Sequence, residues 1–63
     1  MEKGIKDWCD RHLGDNVSLN LYEGEDVKGK IYDVDFDNVV LYDADEVLIE
    51  VLLSNIKSMK AEK

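Results

Sequence analysis

The spacing of apolar positions along the chain changes once, near Asn16. Before that point, apolar and weakly polar residues recur at intervals of three and four, which is typical of one face of an α-helix. The positions on this face are Ile5, Trp8, Cys9, His12 and Leu13. Gly14 follows, and glycine readily adopts the left-handed conformation that ends a helix. The pattern therefore predicts an amphipathic helix over residues 2–13.

From Asn16 onward, apolar and polar residues alternate with a period of two, which indicates β-strands. The alternation predicts strands over about 17–22, 26–34, 39–42, 46–53 and 56–59. Polar turns separate them at residues 23–25, 35–38 and 43–45, and Ser54 and Asn55 form a tight connection. Residues 60–63 are expected to fray.

Gly29 lies inside the second predicted strand, between Val27 and Ile31 on one face. A glycine within a strand pattern marks a sharp bend or a close approach of two backbone segments. A strand creased at Gly29 can wrap around a small core. The chain is therefore predicted to be a mainly β, single domain over residues 1–63. Its fold would be a strongly bent, five-stranded antiparallel barrel over about 16–59, preceded by the helix.

The fourth predicted strand is apolar on both faces. One face carries Val47, Ile49, Val51 and Leu53, while Leu48 and Leu52 lie on the other beside Glu50. A half-exposed strand should be polar on its solvent face, so either the helix or a second subunit is expected to cover it. Pairing of this strand with the last strand of a neighbouring copy would be a head-to-tail contact, which can close into a ring. The predicted subunit interface comprises Leu48, Glu50, Leu52, Ile56 and Ser58.

The composition limits the classes of function. A chain of 63 residues has a small core, which favours oligomerisation, and its net charge of −7 disfavours non-specific binding to nucleic acid or anionic membranes. Lys28 and Lys30 could still form a local basic belt around a ring. No apolar stretch has the length of a membrane span and no signal peptide is recognised, so a cytoplasmic location is expected.

The titratable residues give no catalytic pattern. One cysteine and one histidine cannot form an internal disulfide or a zinc cluster, and Cys9 and His12 share the apolar helix face, where packing explains them. The Asp33, Asp35 and Asp37 spacing is that of the start of an EF-hand calcium loop. The twelfth position is Ala44 where a glutamate is needed, so solvated loops are the simpler interpretation. We therefore expect no enzyme activity, no cofactor and no dedicated metal site.

The order of these features resembles the Sm-like family, which comprises the Sm and LSm proteins and bacterial Hfq. The resemblance covers residues 13–59, and the spacing from Gly29 to Leu41 needs no gap against Hfq and is one residue short of the Sm and LSm pattern. The first motif is an alternating strand, a turn with glycine, a strand with a central glycine, and an aspartate six residues later. The matching positions are Val17, Leu19, Leu21, Gly24, Gly29, Ile31, Val34 and Asp35. The resemblance implies a hexameric or heptameric ring that binds single-stranded, U-rich RNA in its pore loops.

The second Sm motif is divergent. RNA-binding members carry an Arg-Gly pair there, or a Tyr-Lys-His run in Hfq, whereas residues 51–55 here have no base, glycine or aromatic residue. The base-stacking position of the first motif, two residues after the aspartate, is Asp37. The residues that the resemblance marks as candidate RNA contacts are Asp35, Phe36, Asp37, Asn38, Ser54 and Asn55.

Two functional hypotheses follow with nearly equal weight. The first is a ring-forming RNA-binding protein or RNA chaperone whose RNA site is weakened or relocated. The second is a ring with the same architecture that binds protein partners as a scaffold and binds no RNA.

Overall fold

The chain folds into one helix and one antiparallel sheet. The computed structural model describes residues 2–62, and the side chains of residues 4–62. The elements are α1 (Glu2–Arg11), β1 (Asn16–Leu21), β2 (Val27–Val34), β3 (Asn38–Tyr42), β4 (Leu48–Leu52), a 3-10 turn (Leu53–Asn55) and β5 (Ile56–Ala61). The prediction of a mainly β fold with five antiparallel strands after a helix is confirmed. Met1 and Lys63, the ends of the predicted domain, lie outside the described residues.

The sheet is open, and the prediction of a closed barrel is wrong in this respect. The strand order is β4-β3-β2-β1-β5, so β4 and β5 are the two edges and do not pair with each other within residues 2–62. The physical reason lies at their connection. Leu53 and Ile56, on either side of Ser54 and Asn55, are both buried in the core. The connection therefore runs through a 3-10 turn over the core instead of forming a hairpin.

Gly29 lies where β2 passes closest to the end of β3. A Cβ atom at this position would come within 2.9 Å of the Tyr42 carbonyl carbon and closer still to its oxygen. Only glycine permits this approach, as the sequence pattern predicted. Further along β2, the pairing with β3 shifts between Ile31 and Asp33, which places Tyr32 in a bulge. The crease and the bulge together curve the sheet around its core.

The core is formed by residues of all five strands, one residue of the helix and one of the 3-10 turn. The fully buried apolar side chains are Cys9, Val17, Leu19, Ile31, Val39, Leu41, Val51, Leu53 and Ile56. Helix α1 packs on β2 and on the 3-10 turn. Burial, and secondarily the charge of Asp10, raises the pKa of the Cys9 thiol to about 11. Cys9 is therefore a packing residue whose thiol stays protonated at neutral pH.

Two predicted boundaries are corrected. Helix α1 ends at Arg11, because the His12 N–H donates to the Cys9 carbonyl in a tighter turn and Gly14 has a φ of 85°. Strand β4 begins at Leu48 instead of residue 46, because the Asp43 carboxylate accepts hydrogen bonds from the backbone N–H groups of Asp45 and Val47 and holds a loop.

The prediction that residues 60–63 fray is wrong for residues 60–62, which are hydrogen-bonded to β1. Lys60 and Ala61 pair with Ser18 and Val17 of β1. The Glu62 N–H donates a hydrogen bond to the Asn16 carbonyl, with 2.8 Å between nitrogen and oxygen. Lys63 lies outside the described residues. In the same part of the chain, 2–62, no helix combines the length and the apolar character needed to cross a membrane.

Candidate functional site

The turn between β2 and β3 is held by Asp35. Its backbone N–H donates to the Asn38 carbonyl at 2.7 Å, and its carboxylate accepts a hydrogen bond from the Phe36 N–H at 2.8 Å. Asp35 and Asn38 thus form the base of the turn, and Phe36 and Asp37 form its tip. Phe36 is 85% exposed, the highest exposure of any large apolar side chain that the structure describes.

The connection between β4 and β5 lies against this turn. The Leu53 N–H donates to the Asp37 carbonyl at 2.8 Å, and Asn38 pairs with Leu52 across the two strands. The two loops enclose a depression of about 150 Å³, which we call the loop cleft. The residues that line the loop cleft are Phe36, Asp37, Leu52, Leu53 and Ser54. The structure therefore brings together candidate residues from both parts of the chain that the sequence analysis singled out.

Asn55 does not belong to the loop cleft. Both ends of its side-chain amide bind the backbone of Glu23, in the connection between β1 and β2, at 3.0 Å each. Its own carbonyl accepts a hydrogen bond from the Tyr22 N–H at 2.9 Å. The polar groups of Asn55 are thus occupied within the chain, and Asn55 has a structural role that the sequence pattern did not indicate.

The surroundings of the loop cleft are acidic. Between Ile31 and Ile56 the chain contains seven Asp and Glu residues and no Lys, Arg or His. The acids are Asp33, Asp35, Asp37, Asp43, Asp45, Glu46 and Glu50. Five of the seven strongly exposed, large apolar side chains of the described residues come from this same segment: Tyr32, Phe36, Val47, Leu48 and Leu52. The region therefore combines exposed apolar area with an uncompensated negative charge.

These acids do not form a metal site. Among the side chains of residues 4–62, no three His, Cys, Asp or Glu residues are grouped so that they could hold a metal ion. Asp35 instead stabilises its own turn, and Asp43 stabilises the loop before β4. Of the three aspartates with calcium-loop spacing, Asp35 is thus engaged in its own turn.

A larger cavity of about 740 Å³ lies at the other end of β3. Lys28 and Lys30 contribute to its lining, and so do three acids, Asp43, Glu46 and Glu62. The two lysines flank Gly29 as the sequence indicated. Because the acids outnumber them, the cavity provides no net positive charge for a phosphate backbone.

The two edge strands differ in chemistry. On β4, the side chains that face away from the core are Leu48, Glu50 and Leu52, and the two leucines are 52% and 55% exposed. On β5, the exposed side chains are Lys57, Ser58 and Lys60. One edge is apolar and acidic, and the other is polar and basic.

The side chain of one residue of the predicted subunit interface is buried in its own chain. Ile56 is 1% exposed and pairs with Leu21 in the core of its own chain, so its side chain has no surface to place against a neighbour. The exposed lysines of β5 were missed by the sequence analysis. The signal was present, since the alternation of polar and apolar residues continues from Ser58 to Ala61.

No protein-family model matches the chain, and no curated protein matches it significantly. The fold, the loop cleft and the sheet edges therefore provide the basis for a functional proposal.

Proposed function

We propose that this chain is an Sm-like protein that assembles head-to-tail into a homo-oligomeric ring, hexameric or heptameric, and acts as a scaffold for protein partners. One observation carries the proposal: the two free edges of the sheet have complementary side chains. Strand β4 exposes two leucines around Glu50, and strand β5 exposes Lys57 and Lys60.

Edge pairing satisfies groups that a single chain leaves open. An edge strand presents a row of unpaired backbone N–H and carbonyl groups, which is a template for pairing with another chain. If the sheet continues from one copy into the next, the outer face of β4 lies beside the outer face of β5. A register that sets Glu50 beside Lys57 or Lys60 of the neighbour would pair opposite charges across the two strands. Opposite charges across strands contribute about 0.2–1 kcal/mol per pair, and burial of two leucines adds more.

A scaffold explains the charge better than an RNA-binding ring does. Binding of phosphates depends on Lys and Arg residues that release counterions. Within the described residues the loop cleft contains no base, and the larger cavity contains more acids than lysines. A ring would place several copies of these acidic loops around one axis and increase the negative potential there.

RNA binding is the second candidate, and one observation favours it. Phe36 is exposed at the tip of its turn and lies beside Ser54 in the loop cleft. Exposed aromatic side chains are stacking platforms for single-stranded bases, and stacking contributes about 1–3 kcal/mol per base. In this case the interaction would have little support from electrostatic attraction.

Native mass spectrometry of the purified chain, with and without a short U-rich RNA, tests the proposal. We expect a single oligomeric mass without bound RNA. Replacement of Leu52 or Leu48 by Asp should shift the mass to the monomer, because a charge would enter the apolar part of the contact.

Val47→Asp is the matched control. Val47 is 54% exposed, like the two leucines, but lies in the loop before β4. The control should retain the oligomer. A monomeric wild-type chain, or an oligomer that both leucine variants leave intact, would contradict the edge-pairing proposal, and an oligomer that carries RNA would favour the second candidate.

A further inference from the structure

We propose that the loop cleft binds an arginine side chain of a partner protein. This inference rests on the proposed scaffold function, since it names the class of partner that the scaffold binds. The starting observation is that the loop cleft combines an exposed aromatic ring, Phe36, with the carboxylate of Asp37, which has no hydrogen-bond partner among the described side chains, residues 4–62.

The size of the loop cleft limits its occupant. Its volume is about 150 Å³, whereas sites for small organic ligands usually measure about 300–1,000 Å³. A depression of this size holds one side chain. The occupant is therefore an anchoring residue of a larger partner, in the way that single side chains anchor many protein interfaces.

The charge of the surroundings determines whether that side chain is cationic or anionic. The segment between Ile31 and Ile56 has seven acids and no base. Asp37 lines the loop cleft, and its carboxylate forms no hydrogen bond or ion pair within the described side chains, residues 4–62. An anionic partner would be repelled here, whereas a cationic one is attracted over about 8–10 Å at ordinary salt.

The shape of the groups favours arginine over lysine. A guanidinium group is planar, stacks on an aromatic face and binds a carboxylate through two parallel hydrogen bonds. Phe36 provides the aromatic face and Asp37 the carboxylate on the same turn. The Asp35 carboxylate has one oxygen engaged with the Phe36 N–H at 2.8 Å, and this contact fixes the backbone of the aromatic residue.

Fluorescence anisotropy with two labelled peptides tests the proposal. One peptide alternates arginine and glycine, and the other has lysine at each arginine position. We expect the arginine peptide to bind the intact protein, more weakly as salt is raised. The lysine peptide should bind about two- to five-fold more weakly, because it retains the charge but loses the planar stacking.

Two pairs of variants locate the binding. Phe36→Ala and Asp37→Asn should each weaken binding of the arginine peptide by about two- to five-fold or more. The matched controls are Tyr22→Ala, an aromatic residue that is 67% exposed outside the loop cleft, and Glu25→Gln, an exposed acid between β1 and β2. Both controls should bind like the wild type.

Native mass spectrometry of the same variants separates this proposal from the assembly proposal. A variant that retains the oligomeric mass and loses the peptide supports the arginine site. Equal binding of the two peptides, equal loss in the controls, or no binding to an intact oligomer would overturn it while leaving the scaffold in place. Competition by a U-rich oligonucleotide that depends on Phe36 would also overturn it, in favour of a nucleic-acid site.

Discussion

The side-chain amide of Asn55 forms two hydrogen bonds with the backbone of Glu23, one donated and one accepted, each 3.0 Å long. A third bond, from the Tyr22 N–H to the Asn55 carbonyl, measures 2.9 Å. Together they attach the 3-10 turn to the connection between β1 and β2. These bonds hold the 3-10 turn between the end of β4 and the start of β5 in place.

Replacement of Asn55 by Ala should lower the free energy of unfolding by about 1–2 kcal/mol. Both hydrogen bonds of the side chain are lost, and each contributes about 0.5–1.5 kcal/mol before competition with water at this partly exposed site. Urea denaturation followed by circular dichroism measures the change. Asn20→Ala, at an exposed position of β1, is the control and should stay within about 0.5 kcal/mol of the wild type.

Gly29→Ala should destabilise the fold by about 3 kcal/mol or more, because the added Cβ would collide with the carbonyl group of Tyr42. The backbone of β3 is fixed by its pairing on both sides and has little freedom to retreat. Gly4→Ala is the contrasting change. A Cβ at Gly4 meets no atom within 4 Å, and in α1 alanine is favoured over glycine by about 1 kcal/mol. The midpoint of thermal unfolding should therefore fall in the Gly29→Ala variant and rise in the Gly4→Ala variant. A Gly29→Ala variant as stable as the wild type would show that the backbones at Gly29 and Tyr42 can move apart.

The number, type and order of the elements followed from local patterns. The period of two in β1 and β3, and the glycine in β2, are properties of neighbouring residues that are visible in the sequence. The two ends of the β4 region were harder to predict. The Asp43 carboxylate binds the N–H groups of Asp45 and Val47 and shortens β4, which alternation alone does not reveal.

The candidate site was predicted in part for the same reason. The turn that carries Phe36 and Asp37 could be located from its flanking strands, whereas the resemblance alone marked these two residues as candidate contacts. Their contact with Ser54, and the engagement of Asn55 with Glu23, depend on how distant segments meet. The pairing of Lys60 with Ser18 is likewise a tertiary contact, and a chain end without a turn signal gave no reason to expect it.

Reversal of the charges on the two edges tests the assembly through electrostatics. Glu50→Lys should raise the dissociation constant of each contact between copies by about two- to five-fold, because like charges would then meet across the strands. Adding Lys60→Glu to the same chain should restore most of the lost affinity between copies. Analytical ultracentrifugation at low and high salt measures both effects. Glu25→Lys changes the net charge equally away from both edges and should leave the dissociation unchanged.

The Cys9 thiol gives a pH dependence of stability. Burial, and to a smaller extent the negative charge of Asp10, raises its pKa to about 11 in the folded chain, compared with 9.0 for an ordinary thiol. The unfolded chain therefore loses this proton first, and the free energy of unfolding falls as the pH rises from about 9 to about 11. The thiol contributes nothing to the slope below that window. The loss should be roughly 1–3 kcal/mol.

The Cys9→Ala variant isolates this contribution. Other groups titrate in the same range, so the difference in slope between wild type and variant is the quantity to measure, by urea denaturation at several pH values. Parallel slopes would contradict the assignment. Alkylation of Cys9 by iodoacetamide should also be slow at neutral pH until the chain unfolds.

The crease at Gly29 has a consequence for any array built by edge pairing. Each copy would join the next through β4 and β5, and the curvature of the sheet between these strands sets the angle through which successive copies turn. A constant angle that divides the full circle evenly gives a closed array, and one that does not gives an open helix. The copy number would then be a geometric property of one strand, and a change in its curvature would convert a finite particle into a fibre.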